Sequence, residues 1–373
     1  MKESGVFLNK YAGRGMLFFI LTIVLLRLSG ADTALAQSCG KWSVVTSPNV
    51  GSGQNYLYGV TAITPNDVWA VGTSQSATLT EHWNGTQWSV VNSPSIGTYY
   101  PTLFSVAALA TNDAWAVGYS GTYPTYTAMI EHWNGTQWKL VTSPSSGAQL
   151  TGVTAISTND VWAVGTIGTY QPMIEHWNGT QWSVISHPNQ STSMYAVTAV
   201  STGDVWAVGG TLYAKRHEAL IEHWNGTSWK MVYNAPPSNS CLPGFGGVTA
   251  LSTTAVWAVG SDWGNCQDSP PYPLIERWNG TAWKVVFSPN RAGQLSAVAA
   301  ASTGNVWAVG QLYNLQQAAT YHSDGTQWSE VANPTLPFSQ LSGIAATSAG
   351  DFWAVGSYSP QNSNNRTLIE FYC

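Results

Sequence analysis

The chain has 373 residues, 44% of them hydrophobic and only 8% charged, with a formal net charge of −5 at neutral pH. Lys and Arg are few and form no basic run, which argues against nucleic acid as a partner, because neutralising phosphates takes clustered cations. Plentiful aromatic and β-branched residues argue against disorder, and with abundant Gly, Ser, Thr and Asn they suit an extracellular all-β protein.

Residues 1–36 open with Lys2, Lys10 and Arg14, continue through an apolar run from Met16 to Leu26, and end in Ala34-Leu35-Ala36. This is the layout of a secretory signal peptide, and its apolar run is too short to span a bilayer. The mature chain is expected to begin near Gln37 as a secreted, extracellular or cell-surface protein, with no membrane insertion after cleavage.

From there the sequence repeats. Trp-Ala-Val-Gly recurs at Trp69, Trp115, Trp162, Trp206, Trp257, Trp307 and Trp353, which counts seven units. Their cores are placed at 57–95, 103–145, 150–189, 194–236, 245–290, 295–334 and 341–373, the last completed by 38–48. The copy at 150–189 shows the plan. Val153–Ser157 and Val161–Gly165 are strands joined by Thr158-Asn159-Asp160, which is turn chemistry. Met173–Trp177 and Gln181–Ile185 flank Asn178-Gly179, a strong hairpin signal. Four strands in a meander cannot bury both faces alone, so successive copies must stack, as the blades of a propeller do.

The Asn-Gly or Asp-Gly hairpin recurs at Asn84, Asn134, Asn178, Asn225, Asn279 and Asp324, one fewer time than the Trp motif. The seventh hairpin is therefore split between the chain ends. Leu368–Cys373 supplies its third strand and Cys39–Pro48 its fourth, with Trp42 standing where Trp88 and Trp138 stand in other copies. Cys373 and Cys39 then fall at the turn, where a disulfide would clasp the ring. The competing reading, a lipid on Cys39, lacks the leucine of a lipobox in Ala36-Gln37-Ser38-Cys39. Cys241 and Cys266, in two inserts of the fifth unit, are expected to bond to each other.

Connectivity assigns the rims. In an up-and-down sheet alternate connections lie at the same end, so the short uniform turns make one rim and the long variable inserts the other. Variable loops on a rigid frame are where binding resides. Glu-His at residues 81–82, 131–132, 175–176 and 222–223 looks catalytic or metal-binding, but recurs once per blade. Neighbouring copies are then separated by a sheet spacing of roughly 10 Å, too far to share one metal. A structural role, such as hydrogen bonding between blades, is expected. Asp67, Asp113, Asp160, Asp204 and Asp351 are read as turn residues, with Ala255 and Asn305 replacing them uncompensated. The Asn-Gly-Thr triplets are formally glycosylation sequons, more simply read as type I′ turns.

What the repeat leaves over points to a ligand. Trp263 lies outside the repeat positions, in an insert with Asp262 and Asp268, and Tyr119, Tyr170, Tyr213, Tyr313 and Tyr358 put aromatics on the insert rim of other units. Rigid aromatics beside amides and hydroxyls suit stacking on sugars or anchoring a protein.

With its seven Trp-Ala-Val-Gly strands and Trp-Asn-Gly-Thr-x-Trp hairpins, the chain resembles a secreted seven-bladed β-propeller of the bacterial repeat type, broadly similar to kelch and Asp-box propellers, over Cys39 to Cys373. The resemblance implies an all-β ring of four-stranded antiparallel blades. The expected function is a monomeric, non-catalytic binding module for a glycan or cell-surface protein, without cofactor, metal or catalytic residues. A glycosidase or lyase would need two carboxylates about 5 to 10 Å apart near a cleft, and only Glu218, Asp262 and Asp268 lie outside repeat positions on the insert rim. A structural or assembly scaffold is the third reading.

Overall fold

The computed structural model describes residues 39–75, 77–96, 99–122, 124–168, 171–188, 192–210, 219–232, 244–262, 270–360 and 363–373. The signal-peptide segment, Trp263, Asp268, Tyr170, Tyr213 and the expected Cys241–Cys266 bond lie outside the described residues. The chain folds as seven four-stranded antiparallel sheets. Blade 1 is built from Asn55–Thr64, Asp67–Ser74, Ala77–Trp83 and Trp88–Val90, in order from the centre outward. The innermost strand of each blade packs on that of the next, and blade 7 packs on blade 1, which closes a seven-bladed propeller.

Blade 7 is shared by the two ends of the sequence. Gln340–Ala346, Phe352–Tyr358 and Arg366–Tyr372 come from one end, and the outer strand Ser43–Val44 comes from the other. Ser43 pairs with Phe371 and Val44 with Glu370. Cys39 and Cys373 are disulfide-bonded with their Cα atoms 4.8 Å apart, so Cys39 has no thiol left for a lipid. A second clasp holds the opposite rim. Thr367 N–H donates to Asn49 Oδ1 at 3.0 Å, Asn365 N–H to Gln54 Oε1 at 2.7 Å, and Asn364 Nδ2 to the Ser52 carbonyl at 2.6 Å.

The repeated tryptophans are the material between blades. Trp69, on the second strand of blade 1, meets Trp133 and Trp138 of blade 2 at ring-centroid distances of 4.9 and 5.1 Å. Trp115 meets Trp177 and Trp182, and Trp162 meets Trp224 and Trp229, in the same tilted and edge-to-face arrangement. At the closure Trp307 meets Tyr372 at 4.5 Å and Trp42 at 5.1 Å, so Trp42 does stand in for a hairpin tryptophan. Such pairs contribute about 0.5–1.5 kcal/mol each beyond their area. The glycine after Ala-Val has an equally local cause: a Cβ on Gly72 would overlap the Tyr56 carbonyl, and one on Gly165 the Gln149 carbonyl.

The Glu-His pairs divide their work. The glutamate turns into the blade interface, where Glu81, Glu131, Glu175, Glu222 and Glu370 are 0% exposed. The residue before the proline that leaves one blade bonds the glutamate of the next: Ser93 Oγ donates to Glu131 Oε1 at 3.4 Å and Ser143 Oγ to Glu175 Oε1 at 2.8 Å. The histidine stays within its blade, with His82, His132, His176 and His223 within 2.7–2.9 Å of Asp67, Asp113, Asp160 and Asp204. Those aspartates therefore do more than shape a turn. Asp160 also accepts from Trp162 Nε1 at 2.9 Å, and the histidine ring stacks on that indole.

The two replacements expected to be uncompensated are compensated. Asn305 accepts from Trp307 Nε1 at 3.0 Å and lies 3.1 Å from His322. In blade 5, Ala255 replaces the aspartate and Arg277 the histidine together, and the Arg277 guanidinium sits 5.2 Å over the Trp257 ring. A cation over an indole thus takes the place of the Asp-His-Trp stack.

Candidate functional site

Seven inner strands surround the axis, and each loses register once near the insert rim. The skipped residue lies between Leu57 and Gly59, between Leu103 and Ser105, and at the equivalent place in every blade. It is Tyr58, Phe104, Thr151, Tyr195, Gly246, Ser296 or Ser342 in blades 1 to 7. A bulge leaves one residue out of the ladder and re-aims its side chain. Here all seven line the central channel, a hollow of about 170 Å³.

Small residues follow the bulge because the inner strands converge. A Cβ on Gly343 would come 2.6 Å from the Tyr58 carbonyl oxygen, and one on Gly59 would come 2.9 Å from that of Phe104. The channel is narrow where these strands converge, and it widens at the insert rim. There it opens into a cavity of about 510 Å³ that keeps Tyr58, Phe104 and Tyr195 and adds Tyr119, Gln149, Ser261 and Gln294. That volume is within the range of small-ligand sites, about 300–1,000 Å³.

The mouth is not seven-fold symmetric. Blades 1 and 2 carry a run of touching rings: Tyr56 to Tyr58 at 6.1 Å, Tyr58 to Phe104 at 4.9 Å, Phe104 to Tyr119 at 5.0 Å and Tyr119 to Tyr126 at 5.3 Å. Blades 3, 5, 6 and 7 answer with amides, hydroxyls and bare backbone at Gln149, Thr151, Gly246, Gln294, Ser296 and Ser342. No Lys, Arg, Asp or Glu is among the described lining residues. Burial, with help from the neighbouring phenols, pushes the Tyr58 hydroxyl up to about 12, and it raises Tyr119 as well, so both act as neutral groups.

Of the sequence-based candidates, Tyr119 is in this mouth. Asp262, Tyr313 and Tyr358 are not among its lining residues. Tyr358 packs against the cluster of Trp42, Trp307 and Phe352 between blades 6 and 7. Asp262 closes a strand opposite Tyr272, and its charge adds to burial in raising Glu276 to about 7. Tyr58, Phe104 and Tyr195 were missed by sequence reasoning. The signal was a single variable column inside an otherwise repetitive first strand: Leu-Tyr-Gly-Val, Leu-Phe-Ser-Val, Leu-Thr-Gly-Val, Met-Tyr-Ala-Val.

Two other hollows are built from repeat residues or closure loops. A cavity of about 590 Å³ on the turn rim is lined by Asp113, His132, Trp115 and Trp177, each of which has counterparts in other blades. One of about 640 Å³ is lined by the Asn49–Asn55 segment and Ser363, Asn364 and Arg366 of the clasp. Among the described residues, no three His, Cys, Asp or Glu side chains converge as a metal-holding group.

Fold and mouth together define a seven-bladed propeller with an asymmetric aromatic and amide mouth on its insert rim. No protein-family model matches the chain, and no curated protein does. Solved structures do. A structure described as YCF48 bound to D1 peptide is 15% identical with a TM-score of 0.61, covering 91% of this chain and 100% of that one. A virginiamycin B lyase from Staphylococcus aureus is 13% identical with a TM-score of 0.60, covering 89% and 99%. The WD40 propeller domain of Doa1 is 14% identical with a TM-score of 0.58, covering 88% and 95%. At these identities the likeness is one of fold.

Proposed function

We propose that the chain is an exported, non-catalytic binding propeller that takes a glycan or a surface protein at the insert-rim mouth of its channel. The observation that carries this reading is the break in symmetry. Most blades keep the same interface residues, yet at the bulge they diverge into Tyr, Phe, Thr, Gly and Ser. Packing gives no reason for that divergence, and recognition does. Fold alone licenses no chemistry, and the described lining residues include no carboxylate pair for glycoside cleavage, Glu218 and Asp268 lying outside the described residues. Propellers of this shape include a peptide-bound one, so a protein ligand is compatible with the scaffold. The signal-peptide reading of residues 1–36 belongs to the same proposal.

The test is binding of purified protein to a broad glycan array and, in parallel, to proteins of the producing cell's surface, each beside a Tyr58→Ala/Phe104→Ala variant. Selective binding lost in the variant supports the reading. Binding that ignores the mouth, or turnover of a bound glycan, overturns it.

A further inference from the structure

We infer that the turn rim carries a second kind of binding site: a cleft between neighbouring blades that lodges one sugar unit, built four times over so that the propeller holds a glycan of identical units. This rim is opposite the mouth, and the inference stands apart from it.

The cleft between blades 2 and 3 is the turn-rim cavity of about 590 Å³, within the range of small-ligand sites. One wall is His132, stacked on Trp115 with 31% of its side chain exposed. A carboxylate only accepts, so Asp113, 2.9 Å from Nε2, fixes the ring proton there. Nδ1 is left an acceptor, with no hydrogen bond to the described residues. Beside it Asn134 spends Oδ1 on Thr136 and Gln137, which leaves its amide NH2 as a donor. The facing wall is Trp177 of blade 3, whose Nε1 donates to the Thr158 carbonyl at 3.1 Å. That ring is held in place and presents hydrocarbon to the cleft. A sugar has the complementary set: a hydroxyl donates to Nδ1 and accepts from the amide, while C–H groups pack on the indole.

The same parts recur between blades 1 and 2, 3 and 4, and 4 and 5. His82, His176 and His223 lie 2.7–2.8 Å from their aspartates and are 24–27% exposed. Trp133, Trp224 and Trp278 are pinned to the carbonyls of Thr111, Thr202 and Thr253. Asn84, Asn178 and Asn225 make the same turn as Asn134.

Each remaining interface lacks one part. Arg277 and Phe371 replace the histidine in blades 5 and 7, and Asp324 replaces the asparagine in blade 6. Phe371 packs on Trp353 at 4.7 Å, so stacking on the tryptophan does not require a histidine. Recurrence argues against one metal shared between blades, but it suits a ligand that itself recurs. Identical sites one blade apart engage several units of one glycan, and together they bind more tightly than any of them alone. An irregular protein surface offers no such repetition.

The experiment is NMR of the whole protein, labelled in its histidine and tryptophan rings, titrated with the methyl glycosides of glucose, galactose, mannose and N-acetylglucosamine. Calorimetry with dextran, galactan, mannan and chitohexaose, beside a repetitive Gly-Ser peptide, runs in parallel. With one of these sugars the Nδ1 signals of His82, His132, His176 and His223 should shift together, and its chain form should bind at least about a hundredfold tighter than its methyl glycoside. Asn134→Asp, which copies blade 6, should weaken the His132 response several-fold and leave the other three. His132→Phe, which copies blade 7, should abolish the shift of the Trp177 indole, while Tyr58→Ala/Phe104→Ala should change none of these signals. A shift confined to one histidine, chain binding no tighter than that of the glycoside, or responses lost in the Tyr58→Ala/Phe104→Ala variant overturns the inference. So does tighter binding of the Gly-Ser peptide at these histidines, or silence with all four sugars.

Discussion

Ser143 Oγ donates to Glu175 Oε1 at 2.8 Å, and through it the loop leaving blade 2 is tied to a fully buried carboxyl of blade 3. Glu131 has a partner of the same kind in Ser93. In blade 6 the position is taken by Tyr321, equally buried. A neutral group therefore serves where the others have a carboxyl.

That substitution fits the state of the carboxyls themselves. Burial pushes Glu81, Glu131 and Glu370 up to about 8 and raises Glu175, with the Ser93, Asn333 and Ser143 side chains beside the last three pulling the other way. In the unfolded chain these groups titrate near 4.5. The folded state then holds protons that the unfolded state releases, so stability is full below about pH 4.5 and falls as pH rises towards about 8, above which it levels. Each unit of difference is worth about 1.4 kcal/mol per group. The melting temperature should fall steadily between pH 5 and pH 8. Glu81→Gln should melt higher than the parent at pH 8.5 and alike at pH 4.5; a flat profile in calorimetry would refute this.

The aspartate of the Asp-His-Trp stack has two obligations, to His176 and to the Trp162 indole N–H. Asp160→Ala leaves both without their partner and should cost about 1–3 kcal/mol in urea unfolding. Asp160→Asn should cost well under half of that, because blade 6 runs on Asn305 with the same two contacts.

Closure of the ring rests on a two-residue strand pair, a buried tryptophan, one disulfide and the hydrogen-bonded clasp of Asn49, Ser52 and Gln54 on the other rim. Reduction should destabilise the protein by roughly 4–5 kcal/mol on the loop-entropy model. Cys373→Ser should do the same without reductant. Trp42→Ala should add about 3–5 kcal/mol for the emptied aromatic site, read by the same denaturant titrations.

Gly165 tests the backbone directly. Its Cβ would overlap the Gln149 carbonyl, which neither strand can yield without breaking the inner pairing. Gly165→Ala is expected to cost more than about 2 kcal/mol, whereas Ser89→Ala on an outer strand should stay within about 0.5 kcal/mol.

Much of this architecture was legible because its causes are local and repeated. Asn178-Gly179 had to turn, seven Trp-Ala-Val-Gly strands had to stack, and one missing hairpin had to be made from two ends. Glu175 was recognisable as structural from its recurrence, although its protonation depends on burial that no spacing reveals. The mouth was read less well. Tyr58, Phe104 and Tyr195 lie within the repeat's first strand, where strict alternation does not anticipate a bulge. Tyr358, named on the insert rim, packs in part against the cluster of Trp42, Trp307 and Phe352.

The split seventh blade has a consequence for how the molecule is made. A chain emerging from its N-terminal end presents Cys39, Trp42 and Ser43–Val44 early, but their sheet partners at 366–373 come last. Six blades can be assembled while Trp42 still lacks its strand partners and its neighbour Tyr372. Domains with such distant pairings fold slowly and remain exposed to misassembly. The ring is thus sealed only after translation of its final strand, and the leading segment must be kept from pairing elsewhere until that strand arrives.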